Sequence, residues 1–177
     1  MDVAQRWRGR GATVAGPGPD GLGELDEGRV RAVLYLCGVG LDALEDGVQQ
    51  VRLKLLEQPP GKVRDVRAWA ATVAANVAAD WHRGHGRDRR LVEQLAGQAP
   101  PPAPGRSADD TALALSVAAG LRGLPADQRQ VLVLRLYVDL TVREIAAELG
   151  VPAGTVKSRL HTAVGAMREQ LHRLEVV

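Results

Sequence analysis

The residues best equipped for chemistry lie in the stretch "TVREIAAELGVPAGTVKSRLHTAV", Thr141 to Val164. There Thr155, Lys157, Ser158, Arg159, His161 and Thr162 gather two cations, an imidazole and three hydroxyls within a few positions. No nucleophile, base and orienting group can be assembled from them or from the rest of the chain, so no catalytic residue and no cofactor is expected. What the set can do is read nucleic acid. Short hydroxyl side chains let a helix sit deep in the major groove, Lys meets phosphate oxygens, and Arg takes a guanine edge with two parallel hydrogen bonds. The competing reading is an ordinary solvated face in a helical bundle.

A second cluster, "DWHRGHGRDRR", brings Asp80, His82 and His85 close enough to suggest a metal site. No further His or Cys completes a ligand set, and Arg83, Arg87, Arg89 and Arg90 would repel a cation, so no metal is expected. Four Arg against Asp88 leave residues 81 to 90 with a surplus of positive charge, which suits either a nucleic-acid-facing end or a plain solvated helix end.

The elements that must position these residues can be read from their punctuation. Thr141 and Glu144 have capping-box spacing, Gly150 supplies a helix stop, and Pro152 can open the next helix. A helix-turn-helix is predicted. In its second helix Val156, Leu160, Val164, Met167 and Leu171 form the buried stripe. At about 100° per residue, Thr155, Ser158, Thr162 and Gly165 then fall opposite it, with Lys157, Arg159 and His161 on the flanks. The abrupt turn angles one helix into a groove while the first supports it.

Composition bounds the remainder. The 177 residues are 45% hydrophobic but only 3% aromatic, with no Phe, so cores of Leu, Val and Ala are expected and an all-α fold with them. Net charge is +2 and the pI about 9.0, with Arg far outnumbering Lys. Arg suits phosphates and base edges, and a GC-rich genome gives the same bias. The lone Cys37 sits in an apolar stretch as a small core residue of a reducing compartment. The start "MDVAQRWRGRG" lacks the apolar core of a signal peptide, and no run approaches membrane-spanning length, so a cytoplasmic protein is expected.

Residues 1 to 25, with "GPGPDGLG", have no helical period and are expected to form a disordered tail. Residues 26 to 90 read as one helical domain. Its first helix carries Val30, Val33, Leu34 and Cys37. The second opens at Asp42 with Glu45 as a capping box and buries Leu44, Val48, Val51 and Leu55. The third runs from about Asp65 to His82 with Val66, Trp69, Val73 and Val77 inward and Trp81 at the end of the stripe. The same angular reasoning turns Asp46, Gln49, Gln50 and Leu53 outward on the second helix. The Pro-rich stretch "GQAPPPAPGRSAD" marks residues 91 to 110 as a linker with few apolar groups to dock, so two independently moving domains are expected. Beyond it, residues 111 to 177 hold a helix around Ala112 to Arg122, another from Pro125 to about Val138, and the helix-turn-helix.

At this point a resemblance becomes specific. "LRGLPADQRQVLVLRLYVDLTVREIAAELGVPAGTVKSRLHTAVGAMREQL" resembles region 4 of bacterial sigma factors of the extracytoplasmic-function (ECF) group. "ALEDGVQQVRLKLLEQ" and "VRAWAATVAANVAADWHR" are similar to their region 2, and the likeness covers residues 26 to 173. It implies a protein that binds core RNA polymerase and selects a promoter, with core polymerase and promoter DNA as partners and room for an anti-sigma factor. It implies that Asp46, Gln49, Gln50 and Leu53 face the polymerase. It further implies that the residues around Lys157 to Arg159 read an upstream duplex element, and that Asn76, Asp80, Trp81 and Arg83 hold the displaced downstream strand. Gln50 and Arg52 depart from the family's Glu and aromatic residue, and Ala75 stands where Arg is common. These departures keep two rivals in view, a helix-turn-helix regulator whose first domain has lost promoter opening and a sigma-like protein that sequesters a partner.

Overall fold

The computed structural model describes residues 25–59, 61–63, 65–85 and 116–173, and all regular structure among them is helical. The expected tail, apart from Leu25, lies outside the described residues. So do the expected linker and Arg87, Arg89 and Arg90.

Helix α1, Glu27–Leu36, is started by Asp26, whose Oδ1 accepts from the Arg29 backbone N–H at 2.9 Å. Val30, Val33, Leu34 and Cys37 are buried along one face, as the period requires, and Leu25 is buried just ahead of the helix. Gly38, at φ +89°, ends it in the left-handed region where a side chain would be strained. The expected Asp42 and Glu45 capping box does not form. The chain enters helix α2, Leu44–Leu56, through a 3-10 turn at Leu41–Ala43, so Asp42 lies too early to cap it. Glu45 instead accepts from Arg31 of α1 at 2.8 and 3.1 Å. Val48, Val51 and Leu55 are buried as expected, and Gly47 is buried with them. A Cβ there would stand 2.7 Å from Leu34 Cδ1, so glycine sets the close approach of α1 and α2.

Helix α3, Val66–His85, buries Val66, Trp69, Val73 and Val77, and also Ala70, Ala71, Ala74, Ala75 and Ala78. A helix buried so far around its circumference must be packed from several sides. α1 and α2 cover part of it, and helix α4, Ala126–Leu136, covers another part. A helical segment at 116–122 precedes α4, and Pro125 stands at its N-cap, one residue earlier than the expected first helical position. Helices α5, Val142–Leu149, and α6, Ala153–Arg173, complete the second half.

The two halves are docked, which corrects the expectation that little would hold them. One apolar cluster runs through both, and polar groups of α4 stitch its margin. Gln130 Nε2 donates to the Ala75 carbonyl at 3.2 Å and to Asn76 Oδ1 at 3.1 Å. The guanidinium of Arg129 donates to the Cys37 carbonyl at 3.4 Å and to the Leu124 carbonyl at 2.9 Å. It also donates to the Arg122 carbonyl at 3.3 Å. The Cys37 and Arg122 carbonyls end helical stretches, where unsatisfied oxygens and the helix dipole favour a cation. Gly38 makes room for that guanidinium, because a Cβ there would collide with it. At the rim Arg29 donates to the Tyr137 carbonyl at 3.0 Å and lies 5.0 Å over its ring, and Arg122 meets the Tyr35 hydroxyl. Among the described residues, the second half's docking groups lie on α4 and immediately beside it, at Arg122 and Tyr137.

Candidate nucleic-acid interface

The helix-turn-helix forms as its punctuation requires. Thr141 Oγ1 accepts from the Glu144 N–H at 3.3 Å, and Glu144 Oε2 accepts from the Thr141 N–H at 2.8 Å. Gly150, at φ +65°, closes α5 in the left-handed conformation and donates to the Ala146 carbonyl. Pro152 precedes the first residue of α6, and its carbonyl accepts from the Thr155 N–H at 2.9 Å. Ile145 and Val156 are fully buried, which fixes the two helices against α4.

On α6 the buried line is Val156 and Ala163, with Leu160, Val164 and Met167 partly covered. Ala163 thus stands at the centre of a stripe that was expected to run through its longer neighbours. Lys157, Ser158, His161 and Thr162 are exposed, and Thr155 and Arg159 are half-buried at the edge. Around Gly154 and Gly165, on the same outward side, a side chain would meet only open space. The six expected upstream residues are therefore brought together on one helix. Arg159 is tethered: its Nε lies 3.2 Å from Oδ2 of Asp127, in the first turn of α4.

The expected downstream residues are less uniform. Asn76, Asp80 and Arg83 fall on one stripe of α3 at helical spacing, and Trp81 sits about 100° around from Asp80. Asn76 is half-buried and occupied by Gln130. Asp80 and Arg83 are exposed and paired with each other. Trp81 is half-buried with its ring edge-on to His82 at 5.6 Å, and His82 Nε2 lies 2.7 Å from the Cys37 carbonyl. Thus Asp80 and His82, two of the three groups that suggested a metal, are engaged elsewhere. No group of three or more potential ligands stands together among the described residues.

On α2 the residues Asp46, Gln49, Gln50 and Leu53 are all exposed, and Leu56 beside them is exposed by 62%, a second apolar side chain that angular reasoning did not single out. Arg52 does not stand on that surface. It is ion-paired with Glu27, which with Arg31 and Glu45 makes a staple between α1 and α2. The hydrogen bond from Arg52 holds the Glu27 carboxyl below its ordinary range, and Arg31 does the same for Glu45. Burial pushes the Cys37 thiol up to about 12 against the pull of the Arg129 charge, so it stays protonated at neutral pH. Among the described residues no helix is long and apolar enough to cross a membrane.

Asp127, Arg129 and Gln130 were not anticipated. The run of four polar residues from Asp127 to Gln130, directly ahead of the apolar Val131 to Leu134, was the available signal.

Comparison with known proteins bears on this geometry. Residues 120–169 match the family model for sigma-70, region 4. The chain is 36% identical over 150 residues to the ECF RNA polymerase sigma factor SigL of Mycobacterium tuberculosis, covering 82% of this chain and 84% of that one. It is 38% identical over 104 residues to the RNA polymerase sigma-E factor of Streptomyces coelicolor, covering 59% and 56%. Its fold is similar to that of the sigma factor RpoE of Bartonella quintana, solved in complex with the anti-sigma factor NepR. The TM-score is 0.59 at 24% identity, over 82% of this chain and 91% of that one. The capped helix-turn-helix and a likeness that spans both halves lead to one conclusion: the chain belongs to the ECF RNA polymerase sigma factors, non-enzymatic proteins that bind RNA polymerase and direct it to promoters.

Proposed function

We propose that the two halves divide promoter recognition between them. α6 reads an upstream element as duplex, with Ser158, Thr155 and Thr162 against the groove, Lys157 on a phosphate, and Arg159 and His161 at base edges or phosphates. The observation that carries this is the hydroxyl-rich and cation-edged face of α6, presented by a capped turn, with Lys157, Ser158, His161 and Thr162 exposed and open space around Gly154 and Gly165. The end of α3 holds the displaced downstream strand. Arg83 tracks its backbone, Trp81 offers a ring for an unpaired base, and Asn76 and Asp80 border the path. Asp46, Gln49, Gln50 and Leu53 of α2 form the polymerase-facing surface, and the exposed Leu56 extends its apolar part.

In this reading residues 26–90 and 111–177 are the two working domains and residues 91–110 the connection between them. The place of action is the cytoplasm, where polymerase is found and a reduced Cys37 is stable. An anti-sigma factor is a further partner, on the precedent of the Bartonella quintana complex.

Run-off transcription with purified core polymerase on genomic fragments tests the whole. Discrete promoter-dependent transcripts that disappear without this chain are the expected result. DNA binding with no transcript from any fragment would instead support a regulator that has lost promoter opening.

A further inference from the structure

Arg159 is the one residue of the α6 set that another helix holds. Taking Val156 and Ala163 as the buried line, about 100° per residue puts Arg159 roughly 50° from its centre, on the flank that faces α4. Lys157 stands on the other flank, and Ser158 and His161 point outward. From that flank a free arginine would sample many rotamers, few of which return its head to the groove side. Asp127 narrows the choice. Its Oδ2 lies 3.2 Å from Nε, the nitrogen on the stem side of the guanidinium, and a carboxylate engaged at Nε is compatible with a bidentate contact made by terminal nitrogens. Asp127 is itself fixed, because it sits in the first turn of α4 and its Oδ1 accepts from the Gln128 N–H at 3.0 Å. α4 is in turn immobilised in the core through Val131, Leu132, Val133 and Leu134. Arg159 is half-buried and Asp127 exposed, 31% and 50% by side chain, so the pair lies at the edge of the α6 face and is open to solvent on the Asp127 side.

We infer that Asp127 is a positioning residue for promoter recognition: it touches no base, but sets the orientation in which Arg159 meets the upstream element. The inference rests on the assignment of α6 as the duplex-reading helix. It gives a carboxylate beside a polyanion a reason to be there, since a negative charge in this place otherwise only opposes DNA binding.

The test uses the full chain assembled with core RNA polymerase. The probe is a duplex enriched by the wild-type holoenzyme from a randomised pool, together with all its single-base variants, titrated at several salt concentrations. Asp127→Ala should flatten discrimination by about fivefold or more at the same base positions that Arg159→Ala flattens, because a correctly aimed bidentate contact discriminates by at least that factor. The double variant Asp127→Ala with Arg159→Ala should lose no more than Arg159→Ala alone. Asp127→Asn, which keeps an oxygen in place, should retain most of the discrimination. Thermal unfolding followed by circular dichroism checks that each variant is folded.

An unchanged base profile in Asp127→Ala with lowered stability would make the pair a structural staple and overturn the inference. So would uniformly tighter binding with a steeper salt dependence, which would mark Asp127 as mere repulsion. An Asn variant as flat as the Ala variant would place the effect in the charge and overturn positioning. Failure of the wild-type holoenzyme to enrich any sequence defeats the underlying assignment and the inference with it. Enrichment by wild type followed by an unaltered Asp127→Ala profile defeats the inference alone.

Discussion

The face of α6 and the last turns of α3 differ in what surrounds them. α6 projects from a capped turn with its outward side open, and one ion pair, Arg159 to Asp127, restrains its edge. α3 is buried around much of its circumference, its Asn76 is held by Gln130, and its Asp80 and Arg83 hold each other. A duplex-reading helix can be complete in the free protein, because phosphates and groove edges come to it from outside. A strand-holding helix packed between elements has to share its polar groups with the packing. The first half therefore depends on its surroundings in a way that the second does not, and variants that disturb the docking separate the two.

The largest expected effect is on Arg129, which is 5% exposed and donates to carbonyls of both halves. Arg129→Ala removes charge-assisted hydrogen bonds and takes its donor from the Leu124 carbonyl, while His82 still meets the Cys37 carbonyl, at a cost of about 2–4 kcal/mol. Urea unfolding followed by circular dichroism measures it, and labelling of the buried Cys37 thiol in native buffer should accelerate in the same variant. A loss of stability within a few tenths of wild type would mean that the docking is not held there.

Arg159→Ala comes next, weakening upstream binding by about 1–3 kcal/mol and relaxing its sequence preference if it makes a bidentate contact. Lys157→Ala should weaken binding more evenly and lower the salt slope by about one unit, the mark of a lost phosphate contact. Duplex titrations across salt concentrations distinguish them, and wild-type behaviour in both would remove α6 from the interface.

Gln130→Ala is gentler. It deletes one amide that bridges Ala75 and Asn76, costs about 1 kcal/mol of stability, and frees Asn76. Downstream single-strand binding should then strengthen or stay level while upstream duplex binding is unchanged. A matched loss of both would show that the two faces are not separable.

The second half was largely legible in the sequence because its signals are local. Thr141, Glu144, Gly150 and Pro152 act within one turn of themselves, and the structure forms the capping box and left-handed stop that they specify. In the first half the same logic failed where a distant group outbid the local one. Asp42 and Glu45 had the spacing of a capping box, but Glu45 is drawn to Arg31 on a different helix. The role of Arg52 as the ion-pair partner of Glu27 is visible only once α1 and α2 are side by side. The docking of the halves was illegible for a related reason. Linker composition says how far apart two domains can be, while Arg129 and Gln130, polar residues at the start of an apolar helix, say what they can be fastened to only when Cys37 and Ala75 are in reach.

The smallest effect concerns the α1–α2 staple. The Glu27 and Glu45 carboxyls are held below their ordinary value of 4.5 by Arg52 and Arg31. Their contribution to stability is therefore complete above that value and is lost as pH falls through the lowered folded-state range. Arg52→Ala should shrink the acid-dependent part of thermal stability below pH 4.5 without touching upstream binding, and an unchanged acid profile would leave Arg52 without the structural role described.

Division of labour between α6 and the end of α3 is most directly tested by permanganate footprinting of the polymerase complex on linear and supercoiled promoter DNA. Trp69 is fully buried, so Trp81 is the one tryptophan among the described residues with an accessible ring, and a stacked base contributes about 1–3 kcal/mol. Thymine reactivity should be weak on linear DNA and stronger on supercoiled DNA. Trp81→Ala should abolish this reactivity while the upstream duplex remains bound. Strong reactivity on linear DNA that survives Trp81→Ala would contradict this division of labour.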